Sequence, residues 1–142
     1  MLIEHSYGVI ALRKNGSAWE VLLIQHGAAG YWGFPKGHAE NQETPRESAQ
    51  RELFEETNLE IAQYLSDVAI EEQYHFKKSG KPVSKTVTFF VAEVKGTVIL
   101  QTEEIQASRW VPLDSACEHL TYDTDRSICR QAITLIAKNA SC

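Results

Sequence analysis

Long apolar runs are missing from this 142-residue chain, and with them any segment of membrane-spanning length or any apolar leader. A soluble, cytoplasmic protein is therefore expected, without a membrane partner. Cysteine is scarce: Cys117, Cys129 and Cys142 are odd in number and show no close paired spacing. That arithmetic argues against a disulfide framework or a zinc site, and favours buried thiols or an exposed C-terminal thiol. Excess positive charge is also lacking. The net charge is −5, so stable binding to nucleic acid, which rests on basic surface, is not expected. Repeats, low-complexity stretches and Pro/Gly/Ser-rich linkers are absent, and the chain reads as one domain over residues 1–142. What is present is ordinary globular composition, 43% hydrophobic and 23% charged.

Apolar patterning predicts strands over residues 6–13 and 19–25, joined at the Asn15-Gly16 turn signal. Residues 26–33, with three glycines, read as a loop. A helix is predicted over residues 45–57: Thr44 suits the N-cap, Pro45 the first turn, and Glu47 completes a capping box. Asn58 supplies a left-handed stop. Strands are predicted near residues 62–70 and 72–76, a hairpin loop over residues 77–82, and a strand over residues 83–94. Short strands are expected at residues 96–100 and 108–111, with polar loop at residues 101–106. Two helices close the chain, over residues 113–119 and 123–138, the second with Ile128, Ala132, Leu135 and Ile136 on one side. Strands flanked by well-separated helices suggest an α/β/α sandwich around a central mixed sheet.

Within the first helix, Glu52, Glu55 and Glu56 share one face, where like charges repel. Only Arg51, one turn before Glu55, stands at relieving distance along the helix. Alone, three helical glutamates would be read as a solvated stripe. An under-neutralised cluster of carboxylates also suits magnesium, which takes oxygen ligands and bridges carboxylates to phosphates. The surroundings decide between the two. Gly37, Glu43, Arg51-Glu52-Leu53, Glu55-Glu56 and Leu59 stand at the spacing of the Nudix box, which this segment closely resembles. Asn58 is the one departure, replacing a glycine of the pattern by the residue that next best tolerates a left-handed backbone. The resemblance implies a Nudix α/β/α sandwich and a hydrolase of nucleoside diphosphates linked to another moiety. It implies Mg2+, with Mn2+ as the alternative, held by Gly37, Glu52, Glu55, Glu56 and Glu104. Arg51, Glu55, Glu56 and Glu104 are then the expected catalytic residues, with Arg51 and Glu43 behind the metal ligands and Arg51 orienting a carboxylate through a salt bridge.

Substrate choice rests on residues outside the box. The run Trp32-Gly33-Phe34-Pro35-Lys36-Gly37-His38 resembles that of the asymmetrical diadenosine tetraphosphate hydrolases of this family. Lys85-Thr86-Val87, residues 92–94, residues 104–110 and Leu120-Thr121-Tyr122 before Arg126 resemble them as well. The implied reaction is asymmetric cleavage to ATP and AMP by a monomer or weak homodimer. The implied partner is a small dinucleoside polyphosphate. Lys36, His38 and Lys85 are candidates for the phosphates. Tyr74 and Phe76 are candidates for base stacking, with Phe90 left to the core. Lys77, Lys78 and Lys81 in the hairpin read as solubilising charges, and Trp32 as a packing residue. Other readings of the same box are pyrophosphate removal from RNA 5′ ends and hydrolysis of ADP-ribose or nucleoside triphosphates. A non-catalytic nucleotide-binding module is the reading from a different class.

Overall fold

Val9 and Ala11 point to one side of strand β1 (Leu2–Asn15), and Ile10 and Leu12 to the other; all four are fully buried. A strand buried on both faces must lie inside a sheet covered on both sides. The computed structural model, which describes residues 1–140, shows that arrangement. β1 runs parallel to β7 (Lys81–Lys95) from Leu2 to Leu12, and every other pairing is antiparallel. The sheet runs β3 (Tyr31–Gly33), β2 (Ala18–His26), β1, β7, β5 (Glu60–Tyr64). β4 (Lys36–His38) also joins β1, β6 (Ile70–Lys78) joins β7, and β8 (Ile105–Pro112) joins β2.

Helix α1 (Pro45–Thr57) covers one face through Ala49 and Leu53, which pack with Val9, Ala11, Leu22, Ile24 and Phe90. Helix α2 (Asp123–Ala140) covers the other through Ile128, Cys129 and Ala132, against Ile10, Leu12, Phe34 and Phe89. Leu135 and Ile136 extend the α2 stripe at half-buried positions, as the helical spacing predicts. This is the expected α/β/α sandwich on a mixed sheet. Among the described residues no helix is long and apolar enough to cross a membrane. Cys129 is buried and Cys117 half-buried, both as free thiols, whereas Cys142 lies outside the described residues.

The helix signals hold in detail. Thr44 Oγ accepts from Glu47 N–H at 3.2 Å, and Glu47 Oε1 accepts from Thr44 N–H at 2.8 Å. Asn58 adopts φ 68°, and its N–H bonds Phe54 O at 2.8 Å. Elsewhere tertiary pairing overrides local pattern. The stretch expected as loop ends in β3, and the motif run after it carries β4, because β2 and β1 offer open edges there. Residues 96–100 form no strand; Ile99 and Gln101 instead donate to Thr57 O and Glu56 O, where α1 ends. The strand predicted at residues 62–70 is replaced by β5 and a turn, so that pairing with β7 starts at Glu60. Leu113–His119 winds as a 3-10 helix.

The middle of β1 positions the site. On one side its neighbour is β4 at Ser6–Gly8 and then β2 from Leu12 onward. Between those pairings Val9 N–H reaches the Pro35 carbonyl at 3.2 Å. Strands that diverge leave a crevice, the usual place for a ligand in a mixed α/β sheet. Gly8 permits the crossing: a Cβ there would collide with the Pro35 carbonyl and press within 2.7 Å of Lys36 Cβ.

Candidate active site

α1 delivers its glutamates into this crevice at an energetic cost. Glu56 is only 5% exposed, beneath β4, where its Oε1 accepts from Lys36 N–H at 2.9 Å. Burial, and secondly the charge of Glu52, push its carboxyl up to about 8. Burial raises Glu52 as well, against the opposing pull of Arg51. Glu52 lies so close under Gly37 that any side chain at position 37 would collide with its carboxylate. Glycine at this motif position therefore clears space for a carboxylate.

Arg51 organises the rest. It donates to Glu43 Oε2 at 2.7 Å, Glu52 Oε1 at 2.8 Å, Glu55 Oε1 at 3.1 Å and the His38 carbonyl at 2.9 Å. Helical spacing alone assigned it only to Glu55; the length of the side chain lets it reach its neighbour Glu52 too. Hydrogen bonds from Arg51, reinforced by the Glu40 N–H and Ser48 Oγ, hold the Glu43 carboxyl down at about 2. Glu43 is thereby fixed as the anchor of Arg51.

Glu52, Glu56, Gly37, His38, Glu103 and Glu104 line one cleft of about 480 Å3, together with Lys36 and Lys85. The turn before β8 that carries Glu103 and Glu104 is pinned there by Gly27 N–H to Glu104 O at 2.7 Å and Glu104 N–H to Gln101 Oε1 at 2.8 Å. Glu55 does not line this cleft; its half-exposed carboxylate is held by Arg51. Among the described residues no three carboxylate, imidazole or thiol groups are drawn together closely enough to hold a metal ion. The donor chemistry nevertheless suits a hard divalent cation. Glutamate oxygens face one cleft, and burial, reinforced by their mutual repulsion, raises the pKa values of two of these groups.

A second cleft of about 440 Å3 adjoins the first and shares Tyr31, Lys36 and Lys85 with it. Its other walls include Tyr74, Phe76, Tyr122 and Asp125. Burial opposes the charge on Lys36, but Tyr31, Asp125 and Tyr74 outweigh it and keep the ammonium charged. Burial, and then the neighbouring Lys36, pull Lys85 down to about 8. A larger groove of about 710 Å3 between α1 and β5 offers Arg51 as its one basic side chain, already committed to glutamates. Anion chemistry therefore belongs to the first two clefts.

Every candidate from sequence except Glu55 lines one of these two clefts, or, for Arg51, bonds a residue that does. Phe90 is in the core, Trp32 packs at its margin under Arg109, and Lys78 pairs with Glu4 at 3.5 Å. Tyr31 and Asp125 carry no local signal, and Tyr122 stands in a family-like run without an assigned role. They meet because Trp32 N–H donates to Thr121 Oγ1 at 2.8 Å and Thr121 N–H to Trp32 O at 3.3 Å, tying β3 to the start of α2. His26, buried and stacked on Tyr31 at 4.8 Å, donates through Nε2 to the Phe34 carbonyl at 2.9 Å. It was hidden in a stretch read as loop.

Comparison with known proteins agrees with this geometry. A NUDIX domain model matches residues 4–131. The chain is 37% identical over 120 residues to the asymmetrical bis(5'-nucleosyl)-tetraphosphatase of Rattus norvegicus, covering 78% of this chain and 80% of that protein. Identity to the Sus scrofa enzyme of the same name is 28% over 143 residues, covering 94% and 96% of the two chains. A crystal structure of a C. elegans Ap4A hydrolase binary complex superposes with a TM-score of 0.75 at 26% identity, covering 95% of this chain and 98% of that one. With the glutamate-bearing helix seated under Gly37 in the expected sandwich, the chain belongs to the Nudix family of hydrolases.

Proposed function

We propose that this protein is a divalent-metal-dependent hydrolase that splits diadenosine tetraphosphate asymmetrically into ATP and AMP. The observation that carries the reading is the pair of adjoining clefts, one lined by glutamates and the other by aromatic rings, joined at Lys36 and Lys85. A nucleoside stacked in the aromatic cleft would send its phosphates past both lysines toward the glutamates. The names of the rat, pig and nematode relatives point to the same substrate. We propose residues 1–142 as one functional domain acting as a monomer or weak homodimer in the cytoplasm, with no nucleic-acid or membrane partner.

Glu52, Glu56, Glu104 and the Gly37 carbonyl would hold the ion, Mg2+ or in its place Mn2+, with Glu55 joining after release from Arg51. Bound there, the ion neutralises phosphate oxygens and lowers the pKa of the attacking water. Lys36, His38 and Lys85 steady the phosphate chain against in-line displacement. Tyr74 and Phe76 provide flat faces for adenine. Arg51 keeps Glu52 oriented, and Glu55, Glu56 or Glu104 accepts the proton of the water that attacks phosphorus. The nucleotide phosphate that leaves needs charge stabilisation more than covalent help.

The test is product analysis over a panel of diadenosine tetraphosphate, triphosphorylated RNA, ADP-ribose and nucleoside triphosphates, compared as kcat/KM. ATP and AMP in equal amounts from diadenosine tetraphosphate, with the highest kcat/KM of the panel, are expected. ADP from both halves, or a higher kcat/KM on another substrate, would replace the reading. Glu52→Gln and Glu56→Gln are each expected to abolish turnover with circular dichroism unchanged; near-wild-type rates in either would remove that residue from the site.

A further inference from the structure

Asp125 is only 6% exposed, and among the described residues its carboxylate makes no hydrogen bond and no ion pair within 4.0 Å; since no fully enclosed side-chain oxygen there lacks a partner, its oxygens open onto the cleft they line. A carboxylate so nearly buried and without a protein partner is costly, and native structures retain few of them without a use. Its backbone lies in the first turn of α2, and its side chain reaches into the aromatic cleft beside Tyr31, Tyr74, Phe76 and Tyr122. Oδ2 lies close over Gly33, where even a methyl group would stand 3.3 Å away. The positive charges of Lys36 and Lys85 act on it through the cleft and offset part of the burial cost. No phosphate would sit against this anion. A group that donates hydrogen bonds would.

We propose that Asp125 is a specificity-determining residue that accepts a hydrogen bond from the nucleoside held in the aromatic cleft, through either an exocyclic amine of the base or a ribose hydroxyl. The proposal rests on the nucleotide reading of the site and names the part of the nucleotide that the site inspects. The placement gives the physical reason. Stacking on tyrosine and phenylalanine accepts any flat ring, and lysines accept any phosphate. A buried acceptor is what rejects a ligand lacking the donor, because the carboxylate then stays unpaired.

The experiment is a cycle of equilibrium binding, measured by calorimetry in the Glu56→Gln background with the ligand shown to remain intact. The ligands are diadenosine tetraphosphate, its analogue with unsubstituted purine for adenine, and its 2',3'-dideoxyribose analogue. Each is bound with Asp125 present and with Asp125→Asn, and with Asp125→Ala as the second variant. Asp125→Asn is expected to weaken the parent ligand roughly tenfold to a hundredfold, the loss of a charge-assisted hydrogen bond. It should weaken one analogue far less, and the identity of that analogue says whether the base or the ribose supplies the donor. Equal weakening of all three ligands, or no weakening, would overturn the proposal. If neither Asp125 variant folds as judged by circular dichroism, Asp125 is a structural residue and the proposal also fails. Absence of turnover by the wild-type enzyme alongside selective coupling would reject the hydrolase reading while leaving this one standing.

Discussion

Glu56 carries the main tension of the molecule in a single side chain. It is buried beneath the backbone of β4 and faces Glu52, so its carboxyl sits at about 8 when no cation is present. A carboxylate held above its unfolded value of 4.5 binds more protons in the folded state. Its contribution to stability is therefore fullest at low pH and is lost as pH rises through that window toward 8. His26 has the opposite sign: burial, and then the charge of Lys36, lower it to about 4, so its contribution is lost as pH falls below 6.5. Comparing wild type with Glu56→Gln cancels the histidine. In EDTA, the melting temperature of wild type relative to the variant is expected to drop as pH goes from about 5 to 8.5. Added Mg2+ should restore more at the upper end than at the lower. Parallel pH profiles for the two proteins would mean that Glu56 is not the strained group.

At the scale of elements, α1 is held at both ends by devices written in its own sequence. The Thr44–Glu47 box starts it and left-handed Asn58 stops it, with Asn58 Nδ2 donating to Thr97 O at 3.1 Å. Between them only Ala49 and Leu53 are buried apolar residues, because Ser48, Glu56 and Thr57 take up much of the inward face. A helix with so thin an apolar stripe leans on its caps. Thr44→Ala removes the acceptor for Glu47 N–H and is expected to cost about 1 kcal/mol, read from urea unfolding midpoints. An unchanged midpoint would show that packing on the sheet suffices. Helix type and ends were legible in sequence because caps and periodicity are local. The short strands β3 and β4 were not, since three residues of strand exist only where a neighbouring edge satisfies their backbone.

The whole molecule is organised by the divergence of β4 and β2 from β1, and Gly8 marks where the chains cross closest. Gly8→Ala would press on the Pro35 carbonyl, on Lys36 Cβ and on Phe89. Overpacking of this kind is expected to cost about 1–3 kcal/mol in stability. Because the pressure falls on the strand carrying Lys36, Gly37 and His38, kcat/KM of the folded protein should fall at least roughly tenfold. Chemical unfolding and steady-state kinetics on the same preparation separate the two effects. Normal kinetics in a destabilised variant would show that β4 moves without disturbing the glutamates.

Taken by itself, the sequence determined the shared carboxylate face of α1, the α/β/α layering and, through the spacing of the Nudix box, the family. Each of these is set by residue spacing along one helix or one strand, which local backbone geometry turns directly into a shared face. Only the tertiary structure decided that Glu52 and Glu56 enter the cleft while Glu55 stays outside it, and that β3 and the start of α2 meet. That meeting brings Tyr31, Tyr122 and Asp125 beside Lys36 and Lys85. The reason is sequence distance. Trp32 and Thr121 stand 89 positions apart, so no period in the chain records their contact, and only the folding of the sheet between two helices brings them together.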